Sequence, residues 1–196
     1  MFKKFLLSLV CLLFIFLSGC SSSKQIDVAS LAETVTADIK DGSLCYTFYI
    51  IGSDEKVDSV SVFANSFNQA CSIAKKSYIP NLSLAKFELF VVNKKIYKEI
   101  LKSDIEYISS EYYISPLSYV ALCDDNTMKF FSEIKDAPKV AEEHILLLKN
   151  KNKSVNINSL SIFNNFSSAY DREFYIPFIN SNEELKAEVI KINSKK

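Results

Sequence analysis

The chain contains one histidine, His144. Histidine is the usual general base of enzymes with a serine or cysteine nucleophile. A Ser-His-Asp or Cys-His site needs an imidazole that takes a proton from the nucleophile. Nothing in the sequence pairs His144 with a nucleophile, and neither an HExxH motif nor a close cysteine pair offers a zinc site. We therefore expect a boundary residue at His144, no catalytic residue, no metal site, no cofactor and no enzymatic activity.

Acidic side chains occur mainly as sequence neighbours, as in Glu142-Glu143 and Glu183-Glu184. Adjacent positions do not converge on one face, so these pairs are not expected to act as an acid and a base. The run Asp124-Asp125-Asn126 lacks the spacing and the terminal glutamate of a calcium loop, and it predicts a turn at the end of a strand. We interpret these carboxylates as solvated surface groups.

Cys20 has a recognisable chemical context. It follows two lysines, an apolar run over residues 5–17 and the small residues Ser18 and Gly19. The run is shorter than the roughly 20 residues of a membrane-spanning helix and is typical of a secretory signal. The motif resembles the lipobox of bacterial lipoproteins, which implies cleavage between Gly19 and Cys20 and a diacylglyceryl group on the Cys20 thiol. The alternatives are an uncleaved signal anchor or an ordinary signal peptide with an incidental cysteine.

The expected organisation is a lipoprotein signal peptide over residues 1–19, the lipidated cysteine and a tether over residues 20–25, and one domain over residues 26–196. Two acyl chains hold a protein stably on a membrane, which predicts a location on the extracytoplasmic face of the cell membrane. The whole chain has 23 basic and 23 acidic residues, and the signal segment removes two lysines. Such a nearly neutral domain has no field that attracts nucleic acid.

Three further cysteines, Cys45, Cys71 and Cys123, are expected in the domain. An odd number cannot all pair within one chain, and no CxxC motif is present. Each lies in an apolar segment, which favours buried free thiols. A bridge from Cys71 to either of the other two is the alternative in an oxidising compartment.

Turn residues and apolar periodicity predict the elements of the first half of the domain. Asp41-Gly42 between two β-rich runs predicts a hairpin of residues 26–39 and 44–51. Apolar residues at helical spacing from Phe63 to Ala74 predict an amphipathic helix. The nearly continuous apolar run Leu84–Val92 predicts a central strand that is covered on both faces.

The second half of the chain alternates short apolar runs with turn residues. The predicted elements are helices over residues 94–101, 104–112, 138–148 and 160–170 and strands over residues 118–123, 174–179 and 185–192. Asp104 is predicted as the N-cap of the second of these helices and Asp136 as the cap of the third. The order predicts an α+β fold, with a mixed, mostly antiparallel β-sheet and packed helices in a single domain.

Several segments follow one another in an order that occurs in a known family. They are the lipobox cysteine and residues 26–31 (Ile-Asp-Val-Ala-Ser-Leu), 83–92, 113–121, 160–166 and 175–178. This order resembles the N-terminal domain of the Ger(x)C spore-germination lipoproteins, the C subunits of germinant receptors. Family members usually continue into further domains, whereas this chain ends at Lys196, so we expect the N-terminal domain only.

The resemblance implies a germinant-receptor C-subunit-like role on the outer face of the spore inner membrane, beside integral-membrane receptor subunits. We therefore expect a non-enzymatic lipoprotein that is anchored through diacylglyceryl-Cys20 and acts through protein–protein contacts. The alternative is an envelope lipoprotein, unrelated to germination, that binds a small molecule or a peptidoglycan fragment in an apolar pocket. The sequence predicts no ligand-binding residue for this alternative.

Overall fold

The computed structural model describes residues 29–51, 57–168, 170, 172–181 and 184–194. The expected signal peptide, Gly19, Cys20 and the tether therefore lie outside the described residues. The described part is a mixed β-sheet with five helices packed against it. Within these ranges no helix has the length and apolar character needed to cross a membrane.

Eight strands form one sheet in the order β3-β2-β1-β5-β6-β7-β8, and the short β4 pairs with the start of β1. In chain order the elements are β1 (Ser30–Lys40), β2 (Ser43–Ile51), β3 (Val57–Phe63), α1 (Phe67–Ser77), β4 (Leu82–Ser83), β5 (Leu89–Asn93), α2 (Tyr97–Ser110), β6 (Tyr119–Cys123), α3 (Asp125–Glu133), α4 (Ala137–Lys151), α5 (Ser159–Phe166), β7 (Glu173–Asn180) and β8 (Lys186–Asn193).

The strands β1, β5, β6 and β7 are parallel and form the centre of the sheet. On one side β2 and β3 continue the sheet antiparallel to their neighbours, and on the other side β8 does the same. Antiparallel ladders contain most of the paired residues. The predicted α+β fold with a mixed, mostly antiparallel sheet and packed helices is therefore confirmed.

The turn between β1 and β2 is the one that the sequence predicts. Asp41 has φ 52° and Gly42 has φ 75°, and two consecutive positive φ angles match the twist of a two-residue hairpin. In β1 the pairing register shifts between Ala32 and Thr34, which places a bulge at Glu33. The Glu33 carbonyl oxygen instead accepts a hydrogen bond from the backbone N–H of Glu88 at 2.8 Å.

β5 is buried on both faces, which confirms the predicted central strand over residues 89–92, whereas residues 84–88 of the prediction form a turn and irregular chain before it. Phe90 and Val92 belong to one hydrophobic core, and Leu89 and Val91 belong to a second core on the opposite face. Helices α1, α2 and α5 contribute to the first core, whereas α3 and α4 contribute to the second. Parallel strands at the centre of a sheet require such cover on both faces.

The three cysteines of the domain are buried and unbonded, as the sequence favours. Cys45 lies on β2, Cys71 on α1 and Cys123 at the end of β6. Burial raises the pKa of the Cys71 thiol to about 12, so this thiol stays protonated and unreactive at neutral pH. These residues act as small apolar side chains of the core.

The predicted helix that starts at Phe63 is wrong at its beginning. Phe63 is the last residue of β3, a strand that the sequence analysis does not predict. The helix starts at Phe67, after the N-cap Ser66, whose hydroxyl accepts from the backbone N–H of Gln69 at 3.3 Å. Phe63 fits the helical spacing by coincidence. It belongs to β3 because it pairs with Cys45 on β2.

Two predictions about where helices start are also wrong. The two short helices predicted around Asp104 are one helix, α2, so Asp104 is not an N-cap. Asp124 and Asp125 begin a helix, α3, rather than only a turn, and the Asp124 carboxylate caps it by accepting from the backbone N–H of Thr127 at 2.9 Å. Asp136 does precede α4, but its side chain makes no capping hydrogen bond.

Asp104 joins three elements in the interior. Its side chain is 1% exposed. The carboxylate accepts from the hydroxyl of Tyr46 on β2 at 2.6 Å and from the backbone N–H of Phe67 at 3.0 Å. Phe67 is the first residue of α1, so Asp104 supplies a cap to one helix from the middle of another. Burial raises the pKa of Asp104 to about 6, although both hydrogen bonds favour the charged form.

We predict that Asp104→Asn removes a pH dependence of stability between pH 3.8 and about 6. The raised pKa means that the native state binds this proton more tightly than the unfolded chain does. The resulting stabilisation is complete below pH 3.8 and is lost as the pH rises through about 6. Its full size is about 3 kcal/mol, and urea unfolding at several pH values measures it.

The matched control is Asp58→Asn, which removes an exposed carboxylate from the edge strand β3. This variant should unfold with the pH profile of the unchanged protein. If Asp104→Asn also retained that profile, the buried carboxyl would not be the group that titrates.

Candidate functional site

A cleft of about 360 Å³ opens at the edge of the sheet where the parallel strands begin. Its polar lining includes Glu33, Lys86, Glu88, Ser115, Tyr119 and Glu142. Three of these side chains are carboxylates from different parts of the chain. We call this feature the acidic cleft and define it by Glu33, Glu88 and Glu142.

The backbone of the sheet positions two of the three carboxylates. Glu33 is at the bulge in β1, and Glu88 immediately precedes β5. The backbone N–H of Glu88 donates to the carbonyl of Glu33, and the carbonyl of Glu88 accepts from the backbone N–H of Tyr119 at 2.6 Å. Glu142 comes from α4, which Ala141 and Ile145 hold against the sheet. The three carboxylates therefore belong to rigid elements rather than to free loops.

Burial and the charge of Glu88 raise the pKa values of Glu33 and Glu142. Burial first, and then the charge and hydrogen bond of Glu88, raise the pKa of Glu142 to about 7. Burial and Glu88 also raise the pKa of Glu33, against the opposing effect of Lys86. Tyr119 has a raised pKa because it is partly buried and faces Glu142 and Glu88. Glu142 therefore keeps its proton up to a pH of about 7.

The three carboxylates of the acidic cleft can hold a proton, but their arrangement differs from that of the two carboxyl groups of a glycosidase. Glu88 lies close enough to Glu142 to raise its pKa through charge and hydrogen bonding, whereas the two carboxyl groups of a glycosidase stand about 5 to 9 Å apart to admit the sugar or water. Among the described residues no group of three or more His, Cys, Asp and Glu side chains is arranged to hold a metal ion. His144 is half-buried on α4, two residues beyond Glu142, and does not line the cleft.

At the opposite edge, where the parallel strands end, a polar network fills the space between them. The side-chain amide of Asn93 donates to Asp38 at 2.7 Å and to Asp125 at 2.9 Å. Lys95 forms an ion pair with Asp125, and these contacts lower the pKa of Asp125. Open α/β sheets usually bind ligands in a crevice at this edge. Here internal hydrogen bonds occupy the ends of β1, β5 and the start of α3.

Sequence reasoning is wrong about Glu142, which is predicted as a solvated surface group. It is half-buried, and its neighbours Glu33 and Glu88 come from distant segments. No local signal marks such a cluster, because only the pairing of β1 with β5 and the packing of α4 bring it together. Glu143 is exposed as predicted, whereas Glu183 lies outside the described residues.

A comparison with protein families gives a match over residues 22–181, to the family described as the spore germination protein N-terminal domain. The chain belongs to this family. The match confirms the predicted resemblance to the Ger(x)C N-terminal domain. It includes the acidic cleft, the Asn93 network and every described element except β8. No curated protein and no solved structure matches the chain.

For this member of the spore germination protein N-terminal domain family we predict that Glu142→Gln removes a titration near neutral pH. The raised pKa stabilises the native state fully below the ordinary value of 4.5, and this stabilisation is lost as the pH rises through about 7. The variant should therefore gain stability relative to the unchanged protein above pH 7, because glutamine places no third charge in the cleft. Urea unfolding on both sides of pH 7 measures the difference.

Glu106→Gln is the matched control, since it removes an exposed carboxylate from α2 on the opposite face of the sheet, whereas the charge of Glu143 itself raises the pKa of Glu142. Its stability difference from the unchanged protein should stay constant across the same pH range. Equal pH profiles for the two variants would contradict the assignment of the titration to Glu142.

Proposed function

We propose that this chain is a non-enzymatic, membrane-anchored component of a spore germinant receptor, with a role like that of a C subunit. The family match over residues 22–181 is the observation that carries the proposal. The arrangement of the described residues supports a role in binding rather than catalysis. The acidic cleft contains no paired nucleophile and base, and the Asn93 network closes the opposite edge of the sheet.

The proposed anchor is a diacylglyceryl group on Cys20 after cleavage behind Gly19. The sequence around Cys20 supports it, because a basic start, a short apolar run and two small residues precede the thiol. The anchor would place the domain on the extracytoplasmic face of the spore inner membrane. Integral-membrane receptor subunits are the proposed partners, and contacts with them would be the means of action.

Cys20→Ala should abolish incorporation of labelled fatty acid and leave the protein unprocessed or released from the membrane. The physical reason is that only the thiol can accept the diacylglyceryl group, and a stable anchor needs its two chains. Metabolic labelling, gel mobility and membrane fractionation measure the three effects. Cys11→Ala, within the same expected signal segment, is the matched control and should retain label and processing. A Cys20→Ala protein with normal label and normal membrane retention would refute the anchor.

A crosslinked pull-down of the tagged full-length protein tests the receptor role. Membranes from spores and from growing cells of the host are compared, and captured proteins are identified by mass spectrometry. We expect integral-membrane germinant-receptor subunits from spores. Recovery of an unrelated membrane complex, with no receptor subunit, would contradict the proposal.

The second candidate function is a ligand-binding envelope lipoprotein. The acidic cleft favours it, since about 360 Å³ is within the lower range of small-molecule pockets. Its lining is charged rather than apolar, so it suits a cationic group and not the apolar pocket expected from the sequence. Recovery of a transporter in the same pull-down would favour this candidate over the receptor role.

A further inference from the structure

The described chain starts at the same edge of the sheet as the acidic cleft. The N–H of Ser30 donates to the carbonyl of Asn81 at 3.1 Å, and Ser30 and Leu31 pair with β4. Because β1, β5 and β6 are parallel, the loops before β5 and β6 lie at this edge too. Any anchor that precedes Ser30 is therefore connected to this side of the domain.

Four exposed apolar side chains lie at this edge, although others are exposed elsewhere on the described surface. Tyr112 is 97% exposed, Leu117 is 61% exposed and Tyr78 is 59% exposed. Leu160, also exposed, joins them because its N–H donates to the carbonyl of Pro116 at 3.0 Å. We define the apolar edge as Tyr78, Tyr112, Leu117 and Leu160. Their position on one edge provides apolar side chains for contact with a single apolar phase.

Lysines accompany these apolar side chains. Lys75 and Lys76 end α1 and are exposed. The ammonium group of Lys75 lies 5.4 Å from the ring centre of Tyr113, and the Tyr113 ring in turn meets Tyr112 edge-on at 5.3 Å. Tyrosines with exposed rings beside lysines are the side chains that occupy the interface between lipid tails and headgroups.

We propose that the apolar edge lies against the headgroup region of the lipid bilayer, so that the sheet stands on the membrane with its amino edge down. This inference rests on the proposed lipid anchor at Cys20. Fully extended, the segment from Cys20 to Ala29 spans at most about 32 Å. β1 alone, with 11 residues, is about 34 Å long. The linker therefore cannot reach back along the sheet if the opposite edge rests on the membrane.

The charges of this edge differ between its two corners: Lys75 and Lys76 accompany Glu111 at one corner, whereas the three carboxylates of the acidic cleft accompany Lys86 at the other. Lys75, Tyr112 and Tyr113 are on the side of the sheet that α1 and α2 cover, whereas Glu142 is on the side that α4 covers. An anionic membrane surface attracts lysine and repels carboxylates. The domain is consequently tilted with α1 and α2 nearer to the bilayer and the acidic cleft directed away from it.

Tryptophan fluorescence tests this orientation, because the chain has no tryptophan of its own. Y112W places the single probe on the apolar edge. F63W is the matched control, since Phe63 is a 54% exposed aromatic residue at the far end of β3. Each full-length lipidated variant is reconstituted into vesicles of phosphatidylglycerol and phosphatidylcholine, the latter with brominated acyl chains, which quench only probes at the membrane.

We expect Y112W to lose most of its emission in brominated vesicles relative to unbrominated ones, and F63W to lose none. Equal quenching of both variants, quenching of F63W alone, or no quenching of either would overturn the orientation. Vesicle flotation of the same samples distinguishes failure of the proposed orientation from failure of the proposed lipid anchor. Protein that floats without quenching of Y112W refutes the orientation only, whereas protein that does not float refutes the lipid anchor itself. L117W provides a second probe if Y112W fails to fold.

Discussion

The fold depends on one buried carboxyl group. Asp104 connects the hydroxyl of Tyr46 to the first N–H of α1, so β2, α1 and α2 meet at a single side chain. Directly beside this contact, the Phe67 ring packs against Tyr46 and Phe90 at centroid distances of 6.1 and 5.3 Å. A hydrogen bond to a charged group contributes about 1.5 to 3 kcal/mol. The hydrogen bonds and the ring packing thus hold the same three elements together.

This anchoring determines where the two edges of the sheet place their polar groups. Helices cover both faces of the parallel centre, and only the strand ends remain accessible. At one end Asn93 and Lys95 satisfy Asp125 internally. At the other end burial and the charge of Glu88 raise the pKa values of Glu33 and Glu142. The two edges therefore differ in chemistry although the same strands form both.

The edge that holds the acidic cleft is also the edge at which β1 begins, and Cys20 precedes β1 in the sequence. Exposed tyrosines and lysines lie on its α1 and α2 side, and the acidic cleft lies on its α4 side. Under the proposed anchor, the first would contact lipid and the second would face away from it. A protein that acts through contacts at a membrane surface needs such a division, because one side must hold the domain while another remains free for a partner.

Features that depend on neighbouring residues could be predicted from the sequence. Asp41-Gly42 is a dipeptide that readily adopts two positive φ angles, and this preference predicts the hairpin. The nearly continuous apolar run that ends in β5 predicts the burial of this strand. The order of segments identified the family, and the residues before Cys20 predict the anchor. Each of these signals is contained within a short stretch of chain, where backbone preference and apolar periodicity act directly.

Features that depend on distant partners arise from contacts that form only in the folded protein. Phe63 has helical spacing but belongs to β3, because a ladder with β2 stabilises it there. Asp104 has the residue type of a cap for its own helix but caps α1 instead. Glu142 has the pattern of a surface residue, yet Glu33 and Glu88 converge on it. Each outcome arises from contacts between residues far apart in sequence, whose energies exceed the local preferences from which sequence reasoning starts.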